Sequence, residues 1–400
     1  MTRSPRAPMT PPRPAQRLGA WLATNVVAAW RRLRQRRAEP HPDLLTPEDY
    51  EAAEPRRGRA AAAPWLIPPR GWKDIAWRTW HEVGRARLAA LAGGVSFYLM
   101  LATFPAIAAS VSLFGLFSNV DTVEQQFLHF STMFPSEAID FLGDQMVRLA
   151  AQEHGALSLA FVVSAALSIW SAKAGMQALF DGVNLAYNET EKRPFLKRAL
   201  LTYAATLVAI AFIVSTTGAA LAVPEVLHAI GLHRIVIWWA PVRWLAILAA
   251  AVVAFTLVYR FGPSRRPARW RWVAAGGLFA ALAWMAGSFV FSWYLNSFTH
   301  LGVTYGSLGA MIGFMLWMWL SVLIVLIGAE LNAEIEHQTA CDTTIGPERP
   351  LGERGAVVAD TVGRAFPMSP REMRESVGVW LLREIRGVRH EIHQFLRLGR

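Results

Sequence analysis

The chain of 400 residues reads as an all-α membrane protein with six transmembrane helices and both termini cytoplasmic. Amphipathic interfacial helices are expected before the first span and in the C-terminal tail. Three observations carry this reading. The composition is 54% hydrophobic and 17% charged, with a mean hydropathy of +0.28, a balance outside that of soluble domains. Charge is absent from residues 88–120, a run of 33, and from residues 272–329, a run of 58; one bilayer crossing takes only about 20 apolar residues. Lys and Arg alternate between dense and sparse from one inter-span segment to the next, as the positive-inside rule requires.

Residues 1–71 hold 12 of the 23 prolines together with long Arg and Ala runs. Such a composition buries too little apolar surface to fold, and the stretch is expected to be an unstructured Arg/Pro-rich cytoplasmic extension. Inside it, residues 18–30 form an apolar piece followed by Arg31, Arg32, Arg34, Arg36 and Arg37 rather than by a small-residue cleavage site. A short interfacial helix drawn to anionic lipid and a solvated basic tail both fit it. Residues 72–336 are expected to form the transmembrane domain with its juxtamembrane helix. In that helix Trp72, Ile75, Ala76, Trp80 and Val83 recur at helical spacing, with Lys73, Asp74, Arg78, Glu82 and Arg85 on other faces. The pattern predicts a helix on the inner leaflet with tryptophans at headgroup depth.

Six spans follow, at residues 88–117, 156–171, 199–223, 244–261, 272–295 and 305–328. The fourth has only 16 uncharged residues between Arg243 and Arg260, both of which can snorkel to an interface. The run 272–329 must be two helices, divided by turn residues at 296–304. Lys plus Arg number 17 before the first span, then 1, 5, 2, 5 and 0 in successive loops, and 10 after the last. The first, third and fifth loops therefore face outward. The net charge of +11 is a topology signal rather than a nucleic-acid signal. Residues 337–400 form a cytoplasmic tail, where Ser369 to Glu372 makes a capping box ahead of a stripe from Met373 to Phe395. Membrane docking, self-association and packing on the protein's own loops all explain that stripe.

Polar or flexible positions in or beside the spans are Ser96, Tyr98 and Pro105 in the first, Tyr294 in the fifth, Tyr305 and Gly306 opening the sixth, and Glu330 and Asn332 at its end. Pro105 should kink its helix, and irregular backbone at that depth needs burial or a cavity. These eight residues are the candidates for a cavity or gate. Glu330 and Glu334 place negative charge toward a helix C-terminus, against the dipole, and require a cation. Lys173, Arg260, Arg265, Arg266, Arg269 and Arg271 are the candidates, either as contacts for anionic lipid headgroups or as staples between helices. One cysteine excludes a disulfide framework. The sequence carries no phosphate loop, no HExxH and no nucleophile elbow, so neither an enzyme nor a cofactor is expected.

Several ordered motifs carry a family resemblance. They run from Leu88-Ala89-Ala90-Leu91-Ala92 through Ser96-Phe97-Tyr98 to Phe104-Pro105, then Ile169-Trp170-Ser171-Ala172 with Asn184, Tyr187, Glu189 and Arg193. Tyr305-Gly306-Ser307-Leu308-Gly309-Ala310, Trp317-Met318-Trp319 and Gly328-Ala329-Glu330-Leu331-Asn332-Ala333 complete the set. Over about residues 72–336 the chain resembles the YihY/BrkB family of bacterial inner-membrane proteins, once labelled ribonuclease BN-like. That resemblance implies a six-helix inner-membrane protein linked to envelope integrity and serum resistance, some of whose relatives handle envelope lipid or lipopolysaccharide precursors. The long N-terminal extension and the amphipathic tail depart from the family core. The function expected is a transporter or flippase-like factor for an envelope lipid or amphiphile. A membrane scaffold without transport is the alternative, and a ribonuclease ranks last. The expected partners are anionic membrane lipids and not nucleic acid, with homo-oligomerisation left open.

Overall fold

The computed structural model describes residues 46–117, 157–229, 233–298 and 307–366. The helices are α1 (Pro47–Ala53), α2 (Pro69–Arg85), α3 (Leu88–Phe117), α4 (Leu157–Ala186), α5 (Phe195–Ala229), α6 (His233–Phe261), α7 (Trp270–Phe298), α8 (Ser307–Glu336) and α9 (Val357–Asp360), with a 3₁₀ turn at Pro64–Leu66. Among the described residues the chain is otherwise irregular except for one antiparallel bridge, Ala268 to Thr344. Among the described residues five helices contain stretches long and apolar enough to cross a membrane: α3, α5, α6, α7 and α8. α4 carries Lys173, Gln177 and Asp181 along its second half and is not among them.

The six long helices have 29 to 35 residues each. At 1.5 Å per residue they run about 45 Å, well beyond the roughly 30 Å of bilayer hydrocarbon. Their ends must therefore tilt or project into polar surroundings. Contacts pass from α3 to α4, α5, α6, α7, α8 and back to α3, closing a ring, and α4 also touches α8 across it. Leu88, Ala92 and Val95 of α3, Val183 of α4, Ala280 of α7, and Leu326 and Ala329 of α8 form the main core. Met100, Phe314 and Met318 form a smaller cluster.

α3 runs unbroken through Pro105, so of the kink or interruption a mid-span proline can cause, interruption does not occur. Ser168 of α4 donates to the carbonyl of Ala102 (3.3 Å) one turn below the proline. A neighbouring helix can thus supply hydrogen bonds near the point where proline withdraws one.

The unstructured extension expected over 1–71 does not hold at its end. Residues 46–71 fold, beginning with a Thr46–Asp49 capping box at α1. They join residues 187–194, 262–269 and 337–366 in a polar cap at one end of the bundle. Arg59, 1% exposed, explains why. Its guanidinium donates to Glu54 (2.7 Å) and to the carbonyls of Gln338 (3.1 Å) and Gly363 (2.7 Å), while its own carbonyl accepts from Ala340. Burial lowers its pKa and the Glu54 charge opposes that effect. The cap is held by satisfied polar groups rather than by apolar area, a source of order that hydropathy does not register. The tail expected at 337–400 is likewise folded as far as Phe366. Its amphipathic stripe, like residues 1–45, lies outside the described residues.

Candidate functional site

The chemistry concentrates where the last turns of α8 enter the cap. Glu330, Asn332 and Glu336 are fully buried and Glu334 nearly so. Asn332 donates to the Tyr187 hydroxyl (2.6 Å) and accepts from the Gly276 amide of α7 (3.0 Å). A Cβ on Gly276 would lie 2.4 Å from that of Asn332, so this crossing requires glycine. Tyr259 of α6 donates to the Val325 carbonyl (2.7 Å). α4, α6, α7 and α8 are thereby fixed together through three polar side chains.

Each acidic side chain at 334 and 336 has a buried cation beside it. Arg265 pairs with Glu336 at 2.6 Å and lies over the Tyr187 ring at 4.4 Å. Burial depresses the Arg265 pKa, but the Glu336 charge and hydrogen bond together with the Tyr187 and Glu189 charges outweigh it, and the net shift is upward. The Tyr187 phenol is shifted upward by burial first and by the Glu336 charge second. Glu334 accepts from Arg78 Nε at 2.5 Å and lies 3.4 Å from His337 Nδ1. Arg78 also donates to the Gln338 amide oxygen (2.7 Å) and the Arg364 carbonyl (2.7 Å). Asp74, one turn earlier on α2, receives Arg57 (2.6 Å) and the Phe366 amide (2.7 Å).

α2 therefore departs from the expected arrangement. Asp74, Arg78 and Glu82 point into the protein rather than to solvent, and Ile75 leaves the outer apolar stripe to be buried with them. The sequence signal for Arg78 was its position in an alternating-sign stripe at i, i+4 and i+8, which fixes a shared face but not the direction in which that face points.

The candidate cavity residues do not converge. Ser96 is buried and back-bonds to the Ala92 carbonyl (2.7 Å). Tyr98 and Tyr294 are 39% and 49% exposed, whereas Glu330 and Asn332 are interior. Pro105 is half-buried, and Tyr305 and Gly306 lie outside the described residues. The candidate headgroup cations divide in the same way. Lys173 donates to Gln177 (2.7 Å) and lies 5.7 Å from the Tyr203 ring of α5. Arg260 donates to the Ala268 carbonyl and stacks on Trp270 at 4.1 Å. Arg265 is consumed by its ion pair, which turns it away from any lipid. The Arg266 backbone amide donates to the Gly355 carbonyl (3.2 Å), and the Arg269 guanidinium donates to the Thr344 carbonyl (3.1 Å). Arg271 is exposed. Among the described residues no group of three or more His, Cys, Asp and Glu side chains is placed to hold a metal ion.

The virulence factor BrkB family matches residues 79–351, which include all six long helices and the α8 end of the cap. The chain belongs to that family. It is 29% identical over 268 residues to a ribonuclease-like protein, YfkH, of Bacillus subtilis, covering 64% of this chain and 90% of YfkH. It is 26% identical over 274 residues to a UPF0761 membrane protein of Aggregatibacter aphrophilus, covering 66% of this chain and 92% of that protein. A UPF0761 membrane protein of Rhodospirillum centenum is 25% identical over 289 residues, covering 70% of this chain and 61% of the relative. The chain thus spans most of some relatives and under two thirds of others. No solved structure matches significantly. Arg78 and the rest of the cap before residue 79 fall outside the family match.

Proposed function

We propose that this BrkB-family protein is a six-span inner-membrane protein, with α4 as the sixth crossing, both termini and the polar cap cytoplasmic and α2 along the inner leaflet. We further propose that it moves an envelope lipid or amphiphile and catalyses no covalent chemistry. The transport reading rests on α5. In its most apolar 18-residue window 11% of the residues are buried, as in the neighbouring α6, against 33% in α3 and in α8. Leu200, Leu207, Val208, Ile213 and Val214 are exposed, while Thr202 and Thr206 are buried. Both threonines donate to carbonyls of their own helix, so these hydroxyls do not tie α5 to a neighbour, and back-bonding of this kind lets a helix bend. Beyond the Arg198–Asp181 ion pair (2.6 Å) that ties its start to α4, α5 is a lightly buried wall of the ring, while α4, α6, α7 and α8 are locked at the cap. A wall that separates at low cost suits lateral entry of an amphiphile.

The test is lipid movement in liposomes carrying the purified protein, read by quenching of a headgroup-labelled lipid. A Cys341→Ser protein with Lys173→Cys and Tyr203→Cys, joined by a bifunctional thiol reagent, holds α5 against α4. Movement is expected to exceed that of protein-free vesicles and to fall by about tenfold or more on joining, a change of about 1.4 kcal/mol in barrier. Vesicles no faster than protein-free ones would exclude transport. Indifference to joining would exclude α5 as the moving wall.

The scaffold reading is supported by the extent of the folded cap and survives a negative transport result. The name of YfkH raises ribonuclease activity, and RNA cleavage by the purified protein would overturn the non-enzymatic reading.

A further inference from the structure

α2 inverts the usual amphipathic plan. Its inward arc holds Asp74, Arg78 and Glu82 with Ile75, while Trp72 and Trp80 on the opposite arc are 39% and 79% exposed. Trp65 of the adjoining 3₁₀ turn is 70% exposed. Arg70, Lys73 and Arg87 are exposed as well. Two residues, Ala86 and Arg87, separate α2 from the first span, so this face lies at the level where the bilayer ends. Tryptophans there sit at headgroup depth, and cations attract anionic headgroups.

We propose that the outer face of α2 and the 3₁₀ turn, through Trp65, Trp72 and Trp80 with Arg70, Lys73 and Arg87, docks on the membrane surface and selects anionic phospholipid headgroups. The proposal rests on the cytoplasmic placement of the cap but not on transport. Two other occupants fit less well. Residues 367–400 follow directly from Phe366, whose ring lies 5.7 Å from that of Trp77 on α2. That segment carries seven arginines against four glutamates, and like charge opposes its docking on a basic face. A second copy would bring the same cations together and meets the same objection.

Two measurements on the full-length protein decide it. In a Cys341→Ser background, nitroxides at Trp65→Cys, Trp72→Cys and Trp80→Cys are compared in proteoliposomes for access to oxygen and to a water-soluble nickel chelate, with Val290→Cys in α7 as the insertion control. All three positions are expected to admit oxygen and exclude the chelate. Chelate access at 65, 72 and 80 with Val290→Cys still buried overturns the docking. Shielding that vanishes when the chain is ended after Phe366 assigns the face to the tail. Spin–spin broadening that vanishes on dilution into lipid assigns it to a second copy. Either result overturns the proposal. Separately, the solubilised protein is titrated with phosphatidylglycerol and with phosphatidylcholine under native mass spectrometry. Each surface cation is worth about fivefold in affinity for an anionic surface, so phosphatidylglycerol is expected to bind at least about fivefold more tightly. The preference should be lost in R70E/K73E/R87E, or in R70Q/K73Q/R87Q if the reversal fails to fold. Equal binding of the two lipids, or a preference that survives neutralisation, overturns the headgroup selection. Neither measurement changes with the outcome of the lipid-movement assay.

Discussion

Arg78 and Glu334 place two charges where water does not reach, with side chains 6% and 4% exposed. Removing one partner strands the other, at about 3–5 kcal/mol, whereas replacing both with apolar groups of similar volume is close to neutral. Arg78→Ala is therefore expected to lower the thermal midpoint of the detergent-purified protein sharply, and Arg78→Met with Glu334→Leu to recover most of the loss. If the double variant is as unstable as the single one, the remaining bonds of Arg78 to Gln338 and Arg364 dominate instead. Glu191 tests a second residue. Burial pushes its carboxyl up, but hydrogen bonds from the Arg193 amide (3.0 Å) and guanidinium (2.8 Å) outweigh burial and hold it below the usual range. A depressed folded pKa adds stability above the unfolded value of about 4.3 and loses it as pH falls through the folded one. Glu191→Gln should remove that part of the decline below about pH 4 in a melting series against pH. The helical spacing of Asp74, Arg78 and Glu82 was legible in the sequence, but the direction of their face was not. Periodicity groups residues, and only the positions of Glu334, Gln338 and the 364–366 backbone decide which side is inside.

Among the elements, the long apolar helices were legible because hydrocarbon demands uninterrupted apolar length, and α3 matches its expected bounds at both ends. α4 instead runs on to Ala186 beyond the expected end at 171. Lys173 ends an apolar run, yet a lysine whose stem lies along its own helix and whose ammonium meets Gln177 one turn later need not end a helix. The α7–α8 crossing yields a sharper expectation. Gly276→Ala drives a Cβ against Asn332, and overpacking of this kind costs about 1–3 kcal/mol. Gly94 on α3 has nothing within 4 Å of a Cβ, so Gly94→Ala should be neutral or stabilising by up to about 1 kcal/mol through helix propensity. The thermal midpoint should therefore fall in Gly276→Ala and hold or rise in Gly94→Ala, and equal shifts would mean that the crossing is looser than its distances indicate.

At the scale of the whole molecule, the cap was the part that composition misjudged. Arg-rich and Pro-rich sequence ordinarily lacks the apolar surface to fold, but residues 46–71 are tied down in part by the distant carbonyls of Gln338, Gly363 and Phe366. No local window contains those partners. The cap also gives the orientation a direct test. It joins residues 187–194, 262–269 and 337–366, three of the segments on which the Lys and Arg of the chain are concentrated, and cation-rich loops stay cytoplasmic. Glu348, its side chain 82% exposed and only 3.9 Å from Arg269, can be replaced without removing a buried partner. Cys341, by contrast, is partly buried and its thiol is pushed upward by that burial, so little of it is thiolate at neutral pH and it reacts slowly. In a Cys341→Ser background, Glu348→Cys is expected to react with a membrane-impermeant maleimide in inverted vesicles and to be protected in intact spheroplasts until the membrane is permeabilised. Labelling of intact spheroplasts would put the cap on the outer side. In that event both the positive-inside assignment and the docking of α2 on the inner leaflet would fall together, since α2 and Glu348 belong to the same folded end.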